Sequence, residues 1–426
     1  MKKTFVILAA MAILCSMAAR ARAATVEELQ AQVDGLSSQV KALREKDAGK
    51  GEEAKNGDGY LKGVWDRTRI GGYGELDYVF RKENGNGNGG NTFEPRRVVL
   101  YVDSGLTDWL TFNTELEWEH GGVPDGGPDG GVSVEQAFLD ARLSKALSVK
   151  AGAVLIPVGA INLYHEPTNF NSTTRPQLDQ VIIPSTWSEM GAGIHGALGG
   201  RVDYQLFVTA GLDGLEKKTA DGELISGFSA ESGIREGRQS FSPKDSNRNM
   251  AVTGRIELRP ITNLYTNFSF HTGNSAPSGS RTAYTTVMAF DGKYSIGDFD
   301  LAGEYARVYQ ENPAVLSDEI GHNMSGYWVE GAYHFMPNSW KKGKLADADA
   351  VLFARWSEFN TQDGGAVDPT KVSGRFDRNY TTFGIAFKPA TTVVVKADYQ
   401  IYGDHRSPGE TPLDNDKFQV TLGFVY

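Results

Sequence analysis

Residues 418–426 read F-Q-V-T-L-G-F-V-Y. Side chains alternate along an extended chain. Phe418, Val420, Leu422, Phe424 and Tyr426 therefore fall on one face and Gln419, Thr421 and Gly423 on the other, with Val425 the one apolar exception. Two settings suit such a segment: the last strand of a soluble sandwich, or the closing strand of a barrel whose apolar face meets lipid. The segment fits both, and the rest of the chain separates them.

Between Arg67 and Tyr426 the alternation recurs in sixteen segments, most of them long enough to cross a bilayer as tilted strands. The connections are more telling than the strands. Ser104-Gly105-Leu106-Thr107, Gly199-Gly200, Pro260-Ile261, Ile296-Gly297 and Pro389 are tight turns. Between them lie long polar loops at 81–93, 120–132, 157–186 and 213–247. Only 337–347 breaks the alternation of short and long. A transmembrane barrel has short turns at one rim and long loops at the other. A sandwich has no reason to alternate them. The expected fold is all-β: a 16-stranded antiparallel transmembrane β-barrel over residues 67–426. Both chain ends then lie on the short-turn side.

The front of the chain agrees. Lys2 and Lys3, the apolar run Phe5–Ala19 and Ala21-Arg22-Ala23 read as a signal peptide over residues 1–23. Removing its four cations takes the net charge from −10 to −14, and so acidic a chain argues against a nucleic-acid partner. Cys15 is the one cysteine. The mature chain therefore has no disulfide, thiolate metal site or cysteine nucleophile, which suits a bacterial envelope protein. No later apolar run reaches the length of a membrane helix, so any crossing is made by strands. Val26, Leu29, Val33, Leu36, Val40 and Leu43 form a heptad seam. It predicts a short periplasmic coiled-coil helix over residues 24–44, and Val at a with Leu at d favours two strands. Residues 45–66, charged and Gly-rich, read as a flexible linker.

Parity assigns inward positions. Arg69, Glu75, Arg97, Glu115, Glu117, Glu119, Asp140, Arg142, Lys150, Arg255 and Arg355 are expected to line the lumen. Charges of both signs there imply water, because unpaired buried charge is costly. Residues 157–186 are unusually apolar for a loop, with Ile161, Leu163, Phe170, Leu178, Ile182 and Ile183. A loop so long should pack against something. Folded inward, it would constrict the pore and present His165, Glu166, Arg175 and Asp179.

The chain resembles the phosphate-selective porin family of Gram-negative outer membranes. The carrying motifs are R-I-G-G-Y-G-E-L (69–76), E-P-R-R-V-V-L-Y (94–101), H-E-P-T-N-F (165–170) and I-I-P-S-T-W-S-E-M-G-A-G (182–193). The resemblance implies trimeric sixteen-stranded barrels in outer-membrane lipid that pass small solutes passively. Here the inward arginines are interleaved with acids, so the family name by itself does not settle an anionic solute. The expected function is a water-filled outer-membrane channel for small hydrophilic solutes and ions, anions such as phosphate among them. The N-terminus would be periplasmic, with no enzymatic activity and no cofactor. The alternative is a structural sleeve that docks a periplasmic or redox partner.

Overall fold

The computed structural model describes residues 63, 65–81, 90–121, 131–219, 224–239, 249–406 and 415–426. The signal peptide, the coiled-coil segment and most of the linker lie outside the described residues. The strands are β1 (Thr68–Arg81), β2 (Gly90–Gly105), β3 (Leu110–Glu119), β4 (Gly131–Arg142), β5 (Ser148–Leu155), β6 (Ser188–Leu198), β7 (Val202–Ala210), β8 (Lys217–Lys218) and β9 (Leu224–Ser226). There follow β10 (Met250–Leu258), β11 (Leu264–Asn274), β12 (Tyr284–Ile296), β13 (Phe299–Gln310), β14 (Asn323–His334), β15 (Asp349–Asn360), β16 (Asp377–Ala390), β17 (Val393–Asp404) and β18 (Lys417–Val425). Strands β8 and β9 form a small ribbon in the fourth long loop, and the other sixteen close an antiparallel barrel.

Closure is made by the segment quoted first. β18 pairs with β1 from Tyr73↔Val425 to Arg81↔Lys417. The pairing runs on past the strand, with Gly72 N donating to Tyr426 O and Tyr426 N to Gly72 O. The glycines of the 69–76 motif now have a reason. A Cβ at Gly72 would stand 2.0 Å from Val99 O and 2.9 Å from the Tyr426 ring, and one at Gly74 would stand 2.6 Å from the Phe424 ring. Bare backbone leaves room for the terminal aromatics.

The barrel is apolar outside, and its charged wall residues point inside. On β12, Met288 and Phe290 are exposed while Thr285, Val287, Ala289 and Asp291 are buried. On β18, Phe418 and Leu422 face out and Gln419 and Thr421 in. Tyr305, Val329, Leu352, Trp356, Phe383 and Val395 continue the exposed apolar belt. A belt of that extent belongs against hydrocarbon. Tight turns follow the chemistry the sequence supplies. Gly297, with φ of 60°, opens the two-residue turn between Ile296 and Phe299, a conformation few other residues accept.

Two bulges break the strict parity on which the lumen assignment was based. Opposite Glu75–Leu76, β2 fits Pro95, Arg96 and Arg97; opposite Glu115–Leu116, β4 fits Val134, Glu135 and Gln136. A bulge re-aims the side chain it inserts. Arg96 thereby reaches Asp77 at 3.1 Å, and Glu135 becomes buried inside the barrel.

Phe290 sits at the middle of its strand on the lipid face. Phe290→Arg is expected to destabilise the barrel by about 2–4 kcal/mol, whereas Ile296→Arg at the rim should cost about 0–1 kcal/mol. Denaturant titration in lipid vesicles would measure the difference, and equal effects would contradict this placement of the membrane.

Candidate functional site

The loop between β5 and β6 folds into the barrel. Its base is clamped by Asn162, whose Nδ2 donates to Ile156 O (2.8 Å) and Trp187 O (3.0 Å) and whose Oδ1 accepts from Trp187 N (2.9 Å). Gly159 follows with φ of 82°; a Cβ there would meet Glu304 Oε1 and Ile183 at 2.9 Å. Its carbonyl accepts from Arg255 Nη1 at 2.6 Å, and its N–H donates to Ser269 Oγ at 3.1 Å. The chain thus turns against the far wall at a point where only glycine fits.

From there the wall holds the loop residue by residue. Lys388 Nζ donates to Thr168 O (3.0 Å) and Lys396 Nζ to Ser172 O (2.9 Å), with the same ammonium 3.7 Å from the Phe170 ring centre. Asp398 accepts from Thr173 N (2.6 Å) and Thr173 Oγ1 (3.0 Å). Arg355 donates to Ser172 Oγ (2.7 Å) and Thr174 O (3.3 Å), and Asn171 to Glu330 Oε1 (2.9 Å). The short helix α1 (Leu178–Val181) then packs on β14 and β15.

The interior has two characters. One side is an apolar core: Leu178, Ile182 and Ile183 of the loop lie on Val287, Ala289, Ala306 and Val308 of the wall, under Leu212, Phe228 and Ile234 of the fourth loop. Trp328 Nε1 donates across its edge to Asp179 Oδ2 (3.1 Å) and Glu304 Oε2 (3.2 Å). Burial pushes the Asp179 carboxyl up to about 7, and nearby Asp291 adds to the rise. The other side is a cluster of charge. Arg97 bridges Glu75 (2.9 Å) and Glu117 (3.3 Å). His165 Nε2 lies 3.2 Å from Glu135 and 3.9 Å from Glu115. Burial opposes a charge on that ring, but the Glu135 and Glu115 carboxylates prevail and raise its pKa to about 10. Arg175, also buried, donates to His165 O at 3.4 Å.

The residues assigned to the lumen wall therefore divide. Glu75, Arg97, Glu115, Glu117, Arg255 and Arg355 do point inward, but most of their side-chain surface meets other protein groups rather than water. The third loop supplies many of those partners, which differs from the expectation of a wetted wall. Glu119 is half-buried, with its Cα opposite that of Arg97. Asp140 and Lys150 pair across β4 and β5, Asp140 also meeting His195 at 3.0 Å. Arg69 and Arg142 are exposed near the short turns. Of the loop residues, His165, Arg175 and Asp179 are buried, and Glu166 is half-buried and accepts from Asn169 at 2.7 Å. Arg96 and Glu135 escaped strict parity. The adjacent polar pairs Arg96-Arg97 and Glu135-Gln136, and Pro95 inside a strand, are the signal that finds them.

A closed sixteen-strand barrel with a lipid-facing belt and an inward third loop defines the class: an outer-membrane porin. The chain belongs to the phosphate-selective porin O and P family, whose profile matches residues 69–393. An uncharacterized protein of Aquifex aeolicus (strain VF5) is 29% identical over 371 residues, 84% of this chain and 79% of that one. Among solved structures, the outer-membrane channel DcaP of Acinetobacter baumannii is similar in fold, with 11% identity, a TM-score of 0.56, and 84% of this chain and 97% of that one covered. An anion-selective porin from Comamonas acidovorans gives 11%, 0.52, 84% and 99%. OmpF of Salmonella typhi, in complex with daunomycin, gives 12%, 0.55, 84% and 97%. Family and fold point to a channel rather than an enzyme.

Removing the Arg355 guanidinium leaves Glu330 without its ion pair and releases two loop contacts. Losing one partner of a buried pair costs about 3–5 kcal/mol, here against the docked loop. Arg355→Met channels in planar bilayers should show larger and noisier single-channel conductance than wild type. Unchanged conductance would mean that this anchor does not hold the loop.

Proposed function

We propose that the channel of this outer-membrane porin favours small hydrophilic anions, phosphate among them. The observation that carries the reading is a cavity of about 430 Å³ at the short-turn mouth of the barrel. Arg201, Arg259 and Lys293 line it together with Thr262, Asn263, Tyr265 and Ser295, and no acid is among the lining residues. Asp203 and Asp300 pair with Arg259 and Lys293. The three cations nevertheless line the cavity, and selectivity follows the charge nearest the path. On this reading the third loop, with His165, Glu166, Arg175 and Asp179, sets the constriction, and the inward charges around it tune passage.

The finer features of the assembly belong to the same proposal. A periplasmic N-terminus is supported by both barrel ends lying on the side of the short turns. Residues 24–44 would then project into the periplasm as a coiled coil, removed from the signal peptide at 1–23 and joined to the barrel by the linker at 45–66. A homotrimer is what membership of the family suggests.

Reversal potential across a potassium chloride gradient tests the selectivity. Wild type should be anion-selective. The triple variant Arg201→Gln, Arg259→Gln, Lys293→Gln should move the potential towards the cation side without loss of channel formation. A cation-selective wild type, or a triple variant with an unmoved potential, would refute the assignment.

A further inference from the structure

The geometry points to a divalent metal site formed by His165, Glu115 and Glu135, which fastens the third loop to the barrel wall. The three side chains are buried, and a nitrogen or oxygen ligand atom of each lies within 4.8 Å of those of the other two. His165 Nε2 stands 3.2 Å from Glu135 Oε1 and 3.9 Å from Glu115 Oε1. Ligands bound at about 2.0–2.2 Å around one ion are separated by about 3–3.5 Å, so small side-chain movements suffice to close the shell. One imidazole with two carboxylates suits a first-row ion such as Mn²⁺ or Zn²⁺.

The supporting groups are arranged as a metal site requires. His165 Nδ1 lies 2.8 Å from Asn162 O and donates to it, which turns Nε2 towards the carboxylates. A ligating histidine typically gives its other N–H to such an acceptor. Gln136 Nε2 donates to Glu115 Oε2 at 2.6 Å and leaves Oε1 free to bind. The β4 bulge delivers both Glu135 and Gln136, so one irregularity places a ligand and the residue that orients another.

Bonding and charge both leave room for a cation. Glu115 Oε1, both oxygens of Glu135 and His165 Nε2 are buried without a hydrogen-bond partner. Arg97 is engaged by Glu75 and Glu117, and Arg175 by a carbonyl. Across the cluster Glu75, Glu115, Glu117 and Glu135 face Arg97 and Arg175, so an imidazolium would still leave one negative charge over, whereas a dication with neutral His165 balances the set. The other such trio among the described residues, Glu216, Asp318 and Glu319, differs on each count. It lies nearer the surface, and Lys218 and Lys371 already pair with all three of its carboxylates.

The test is Mn²⁺ alone, titrated into the untagged full-length protein after chelator treatment, followed by electron paramagnetic resonance and metal analysis. One ion per chain is expected, with a pulsed-resonance nitrogen coupling from one imidazole. Glu135→Gln and His165→Asn should each weaken binding by more than about 10-fold, and Gln136→Leu, which keeps all three ligands, by about 10–100-fold. Glu166→Gln should bind as wild type. Heat-modifiable gel mobility reports folding of each variant, and the wild-type titration decides the question if a ligand variant fails to fold. A folded wild-type barrel without stoichiometric Mn²⁺, or binding that survives both ligand variants, would overturn the site and leave an imidazolium between two carboxylates.

Discussion

Arg255, Arg355, Lys396 and Asp398 project from the wall into an interior where they are almost wholly buried. A buried charge without a partner costs far more than any one loop contact returns. The third loop meets that need with its backbone. Gly159 O, Ser172 O and Thr174 O accept from the cations, and Thr173 N donates to Asp398. Loop and wall are therefore complementary: the loop would be an apolar stretch of chain without the wall, and without the loop Arg255 and Arg355 would keep Glu257 and Glu330 but lose these backbone acceptors.

Closure of the barrel makes that interior possible. In hydrocarbon each backbone N–H must be paired, so an open edge is excluded. Pairing of β18 with β1 removes the last edge, and it is completed by Tyr426 on the bare backbone of Gly72. Inward placement of charge and outward placement of Phe290, Leu352 and Phe383 are two results of one alternation. A cavity lined by Arg201, Arg259 and Lys293 opens among the short turns at one mouth of this barrel.

The barrel was largely legible in the chain. Sixteen alternating segments and the rhythm of turn and loop match the sixteen strands that close the barrel, because period two and turn chemistry are local signals. The interior was less legible. Arg96 and Glu135 sit at bulges, and one inserted residue reverses parity for its neighbour. Val287, Ala289, Ala306 and Val308 are inward and apolar, so β12 and β13 each carry an apolar stretch on the inner face as well as the outer one. That pattern marks a wall covered from within, and it is visible in the sequence once the inner face is no longer assumed to meet water. The partners of His165 could not be read, since they come from β3 and β4 and depend on how a thirty-residue loop packs.

The third loop is a fixed part of the barrel interior. Hydrogen–deuterium exchange of the intact protein in lipid, read on peptides spanning residues 171–183, tests it most directly. Protection approaching that of the barrel strands is expected, because these amides are buried and several are bonded to the wall or within α1. Exchange as fast as that of the external loops would contradict it.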